Sequence, residues 1–112
     1  MTNENESKPE FNKTVAAALV GKYVLVGLTY RNKSTDAIES HVQKHGEVIA
    51  VDEKQGIVIR NRNTGEEFTL PPDTSRFENA KPGSYRLKGT GEVIIDPDFI
   101  STWIIYPPGR DS

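Results

Sequence analysis

The side chains with the widest chemical reach in this 112-residue chain are two histidines, His41 and His45. A spacing of four sets both on one face of a helix or of a strand, as the first half of a metal site would require. Zinc takes three or four protein ligands, and the others would have to be Glu39, Glu47 or Asp52, carboxylates of a kind found on any soluble surface. The pair is therefore read as ordinary surface or edge histidines, and neither a metal nor any other cofactor is expected. Nucleophilic catalysis needs a hydroxyl or thiol beside a base that a third group orients. The chain has no cysteine, and Ser84 follows Gly83 only to run into Tyr85 and Arg86, which read as strand. The acidic pairs Glu66-Glu67, Asp52-Glu53 and Asp96/Asp98 lie in or beside expected turns, where local hydrogen bonding and solvation explain them. Gly89-Thr-Gly91 lacks the Lys-Ser/Thr pair that opens a helix in a phosphate-binding loop. No catalytic residue is assigned, and the chain is read as not an enzyme.

Two binding surfaces remain. Arg60 and Arg62, with Arg86 and Lys88 beyond the next bend, would each project to one side if they lie on strands, since residues two apart point the same way. With Tyr85, and with Tyr23, Tyr30 and Tyr106 as further stacking platforms, they could grip a nucleic acid. Glu66, Glu67 and Glu92 lie close enough to neutralise that stripe. The other surface is the run Phe99-Ile-Ser-Thr-Trp-Ile-Ile-Tyr106. Trp103 and Ile105 alternate with Ile104 and Tyr106, so one pair must face away from the core unless something covers it. Trp103, Ile105 and Tyr106, with Pro71, Pro72 and Phe77 of the proline-rich loop 71–83, are the residues expected to meet a protein partner or a second copy.

The elements that hold these residues follow from turn chemistry. Residues 1–10 are almost all polar or charged and are expected to form a flexible tail. Phe11, Val15, Ala18 and Leu19 fall at helical spacing, and Asn12 or Thr14 can cap the first turn, so a short helix is expected. Lys22–Tyr30 is β-branched, aromatic and apolar on both alternating faces, as in a central strand. Arg31–Lys44 shows no sustained period and is read as a long loop. Gly46–Val51 and Ile57–Arg62 flank the turn Asp52-Glu-Lys-Gln-Gly56, and Asn63-Thr-Gly65 turns the chain again into Glu66–Leu70, a three-strand meander. Pro71-Pro72 ends it. Asp73, with Ser75 and Glu78, suggests a capped helical turn over 74–80. Strands are expected over Ser84–Lys88, Glu92–Ile95 and Phe99–Tyr106, before Pro107-Pro108-Gly109 and a polar tail, 108–112. The sum is a single, mainly β domain over 11–107: a small antiparallel barrel or rolled sheet with a short N-terminal helix.

Length and charge agree with that. A chain of this size supports one core, and a formal net charge of −2 gives no bulk positive field for non-specific nucleic-acid binding. Val15–Val20 is too short to span a bilayer and follows Glu4, Glu6 and Glu10 where a signal peptide would be basic, so a cytoplasmic protein with no membrane contact is expected.

Gly21-Lys-Tyr-Val-Leu-Val after a short helix, followed by His45-Gly-Glu-Val-Ile-Ala-Val-Asp52 and Gly56-Ile-Val-Ile, resembles the first motif of Sm-like proteins, and Lys88-Gly89 before Glu92-Val-Ile resembles the second. The likeness spans residues 14–95. It implies a small SH3-like or Sm-like barrel, with RNA binding as the alternative function, although Gln55-Gly56 stands where that family carries a base-binding asparagine. Glu66-Glu-Phe-Thr-Leu-Pro-Pro-Asp73 with Pro82-Gly-Ser-Tyr-Arg-Leu87 is similar to small bacterial cytoplasmic proteins of no assigned activity. The expected function is a non-catalytic binding module for a protein partner or for itself.

Overall fold

The structure, a computed structural model, describes residues 10–106; the expected tails, 1–10 and 108–112, lie outside them except for Glu10, whose carbonyl accepts from the Thr74 amide and hydroxyl. A short helix, α1 (Lys13–Leu19), is capped by Asn12, whose side-chain oxygen accepts the Val15 amide at 3.0 Å. Its apolar positions Ala16 and Leu19 are buried. Eight strands follow: β1 (Tyr23–Arg31), β2 (Ile38–Asp52), β3 (Gly56–Arg60), β4 (Glu67–Leu70), β5 (Phe77–Asn79), β6 (Ser84–Arg86), β7 (Val93–Ile95) and β8 (Phe99–Ile105). Six form one sheet in the order β4-β3-β2-β1-β8-β5, and β6 and β7 form a separate hairpin. No helix among the described residues is long and apolar enough to cross a membrane.

Every neighbouring pair in the large sheet is antiparallel except β1 and β8, which run parallel from Val24↔Phe99 to Tyr30↔Ile105. The expectation of a mostly antiparallel barrel or rolled sheet is met in its β content and corrected in its closure: one pair is parallel, and among the described residues the outer strands β4 and β5 do not pair to close a barrel. The parallel pair arises because a long crossover, from the end of β4 through the β6–β7 hairpin, returns β8 beside β1 in the same direction. Both outer strands nevertheless feed one core. Leu70 of β4 lies with Leu19, Val26, Val48, Ile59 and Trp103, and Phe68 and Phe77 pack against that cluster. Full burial of each such Leu or Ile contributes about 1.5–3 kcal/mol.

The opposite face carries a second cluster. Tyr23 and Leu25 of β1 meet Leu87 and Ile94 of the hairpin region, with Tyr85 and Ile100 at the margin. A short chain thus covers both faces of its central strand, which explains why β1 is apolar at consecutive positions.

Two local expectations are corrected. The stretch read as a loop over Arg31–Lys44 shrinks to a turn over 32–37, and β2 is a 15-residue strand whose first half pairs with β1 from Arg31↔Ile38 to Val26↔Lys44. Its residues are polar because most of them are exposed, and backbone pairing rather than side-chain burial keeps them extended. The turn itself is built by Asn32, whose Oδ1 accepts the amides of Ser34 and Thr35. The helical turn expected over 74–80 is a single 3₁₀ turn, Thr74–Arg76. Asp73 caps it by accepting the Ser75 amide at 3.0 Å, whereas Glu78 belongs to β5 and plays no part in the cap.

Candidate functional site

The β1–β2 register sets Leu25 opposite His45 and Tyr23 opposite Glu47, so Tyr23 and His45 share the face that the hairpin covers. There the Tyr23 hydroxyl meets His45 Nδ1 at 2.6 Å, and His45 Nε2 meets Glu92 Oε1 at 3.1 Å. With the ring proton on Nε2, the phenol donates to Nδ1 and the imidazole donates to the carboxylate, and every polar atom of the ring is satisfied. His45 is only 2% exposed, so the reading of both histidines as surface residues is corrected. His41 does lie at the surface, its Nδ1 3.1 Å from Thr29 Oγ1. Among the described residues no group of three His, Asp or Glu side chains is placed to hold a metal.

A hydroxyl, an imidazole and a carboxylate in line have the order of a catalytic triad, but here the hydroxyl and the imidazole belong to residues buried beneath the hairpin, Tyr23 8% and His45 2% exposed. Burial, chiefly, raises the Tyr23 pKa above its ordinary value, the charges of Glu92 and Glu47 add to this, and Arg62 opposes them. Glu92 is held below the usual carboxylate range, first by its hydrogen bond from His45 and then by those from Thr90 and Asn63. The three residues form a polar clamp fastening the hairpin to the sheet. No sequence pattern announces it, because its members lie 22 and 47 residues apart and meet only through strand register and hairpin docking.

The basic residues do not line up on strands. β3 ends at Arg60 and β6 at Arg86, leaving Arg62 and Lys88 in turns, so the expected projection of paired basics from one strand fails. Arg60 is bound through Nε and Nη2 to Glu67 Oε2, at 3.1 and 2.8 Å. The Arg62 guanidinium lies 4.0 Å above the Tyr23 ring centre. Arg86 donates to the Gly91 carbonyl, the Lys88 amide donates to Gln43, and the half-buried Tyr85 gives its hydroxyl hydrogen to the Lys81 carbonyl.

The residues expected to meet a protein divide between two faces of the sheet. Trp103 is 6% exposed and belongs to the main core. Its indole N–H donates to Ser101 Oγ at 2.7 Å, and it packs edge-on against Phe77. Ile105 and Phe77 are half-buried against the same cluster. These three therefore support the fold instead of lining an exposed surface, which corrects the expectation. Pro71 is exposed and Pro72 half-buried. The outward side of β8 belongs to Thr102, Ile104 and the following Tyr106; Ile104 is 53% exposed, and the Tyr106 hydroxyl donates to Asp36 at 2.8 Å.

An edge opens beside these residues. The β5–β8 ladder ends at Phe77↔Ser101, and among the described residues no strand pairs with Thr102–Ile105 on the side away from β1. Ala80 donates to the Asp98 carbonyl at 3.1 Å in continuation of that ladder. Main-chain groups two apart in a strand point the same way, so those of Ile100, Thr102 and Ile104 face β5 and the open edge beyond it. A shallow groove of about 240 Å³, lined by Ser75, Arg76, Glu78, Ile100, Thr102 and Ile104, runs alongside. The other outer strand, β4, is short and carries Glu67, which discourages further pairing, whereas Phe99–Tyr106 is longer and contains no charge or glycine before Pro107-Pro108. No protein-family model, curated protein or solved structure matches this chain, so the edge and its surroundings carry the functional argument.

Proposed function

We propose that this protein is a non-catalytic binding module whose contact site is the open half of β8, where an extended protein segment adds to the sheet. One observation carries the reading: among the described residues Thr102–Ile105 is paired on one side only, beside an exposed Ile104, and it carries no charged side chain such as the Glu67 of β4. Strand addition uses such an edge, main-chain hydrogen bonds giving affinity and alternate side chains giving selectivity. Nucleic-acid binding is the weaker reading, because Arg60 is neutralised by Glu67 and Arg62 is stacked on Tyr23.

The test compares wild type with Ile104→Lys, a change at an outward side chain, by light scattering and by retention of co-purified proteins. Wild type is expected to show a mass above the 12.5 kDa chain or to retain a protein that the variant releases. A constant 12.5 kDa mass together with identical retention by both forms would contradict the proposal. RNA retained at low salt and lost as salt rises, unaffected by Ile104→Lys, would favour the nucleic-acid reading instead.

A further inference from the structure

We infer that the occupant of the β8 edge is the β8 edge of a second copy, joined antiparallel about a twofold axis at Ile104; the inference rests on the reading of that edge as the protein-binding site. The available window is bounded on both sides. At one end the β5 ladder occupies the edge as far as Ser101. At the other, Tyr106 is followed by Pro107-Pro108, and proline has no N–H to extend a ladder. Thr102–Tyr106 is therefore the length of strand that can pair, and its middle residue is Ile104.

An identical strand laid antiparallel and centred on Ile104 sets Ile104 opposite its counterpart and Thr102 opposite Tyr106. The outward main-chain groups of Thr102 and Ile104 then meet matching groups, as an antiparallel hydrogen-bonded pair requires. The register also stops the incoming strand at its own Pro107, where the β5 ladder of the other copy begins. The side chains agree with it: an isoleucine pair at the axis flanked by two threonine–tyrosine pairs is a favourable set of cross-strand neighbours. A window whose own residues carry no charge does not repel a second copy of itself, which makes another β8 a fitting complement. The contact is isologous and closes after two copies. Joining the sheets in this way also hides an uncharged, strand-forming edge that would otherwise invite open-ended aggregation.

Because Ile104 faces itself across the axis, charge exchange provides the test. The full chain is followed by sedimentation velocity from low micromolar to millimolar concentration, with Trp103 fluorescence reporting that each variant is folded. Wild type should approach twice the 12.5 kDa chain mass. Ile104→Lys and Ile104→Glu should each remain single chains, and mixing the two should restore the double mass. Ile95→Lys, at a residue 62% exposed on the hairpin, should dimerise like wild type. A wild type that stays a single chain at every concentration would overturn self-pairing, and the binding-module reading would survive only if Ile104→Lys still released a retained partner. A dimer indifferent to both Ile104 variants would overturn the inference and the placement of the site on β8 together.

Discussion

Replacing Tyr23 with phenylalanine removes one oxygen from the clamp between sheet and hairpin and leaves nearly everything else in place. The ring stays buried, and a phenylalanine face still accepts the Arg62 guanidinium that lies 4.0 Å above it. His45 Nδ1 loses its donor, 2.6 Å away in the native protein, inside a residue only 2% exposed. A buried acceptor stripped of its partner costs about 1–3 kcal/mol, which lowers the melting temperature by several degrees or more at roughly 4–8 °C per kcal/mol for a domain near this size. Urea unfolding followed by Trp103 fluorescence measures the loss, with an unchanged slope showing that the unfolded reference is the same. Glu92→Gln should cost less, because the carboxylate is partly exposed, at 36%, and an amide oxygen can still accept from Nε2. The double variant should lose less than the sum of the two, as expected of residues in one network. A Tyr23→Phe protein within about 0.5 kcal/mol of wild type would refute the view that the phenol satisfies a buried imidazole.

Three further outcomes follow from the same geometry. A Cβ added at Gly46 would press on the Arg60 carbonyl oxygen and come within 2.7 Å of the Arg60 carbonyl carbon and Ile59 Cγ2, whereas at Gly27 it meets nothing within 4 Å. Gly46→Ala should therefore cost about 1–3 kcal/mol in denaturant titration, and Gly27→Ala should be neutral or stabilising by up to about 1 kcal/mol. The His45 hydrogen bond lowers the Glu92 pKa, and the Gln55 and Lys54 amides lower that of Asp52. The folded state thus binds these protons more weakly than the unfolded chain: their stabilisation is complete above the ordinary carboxylate values, near pH 4, and is lost as pH falls through and below them. Melting temperature against pH should show this acid loss, and Glu92→Gln should flatten it. Trp103→Ala should cost about 3–5 kcal/mol by core truncation, observed as unfolding at lower urea; a folded variant of native stability would remove Trp103 from the core.

The turns were the most legible part of the fold. Asp52 Oδ2 accepts the amides of Lys54 and Gln55, and Gly56 adopts φ +109, so the β2–β3 hairpin follows directly from residue types. The Asn12 and Asp73 caps were legible for the same reason. The first half of β2 was not, since polar residues with one solvent-facing side look like a loop until a neighbouring strand supplies the backbone bonds. Nor could alternation decide which side of Phe99–Tyr106 faces inward, because both are apolar. Ser101 settles it: fully buried, it donates to the Arg76 carbonyl and accepts from the Trp103 indole, and so draws Trp103 inward and leaves Ile104 outside. The parallel return of β8 and the meeting of Tyr23, His45 and Glu92 depend on contacts between distant segments, which carry no local signature.

Amide hydrogen exchange, resolved by residue along β8, tests the open edge most directly. In dilute protein the Thr102 and Ile104 amides should exchange rapidly, while those of Trp103 and Ile105, which face β1, stay protected. Raising the concentration should slow Thr102 and Ile104 alone. If these two amides were already protected in the single chain, or exchanged at the same rate however concentrated the protein, β8 would have no open edge to offer.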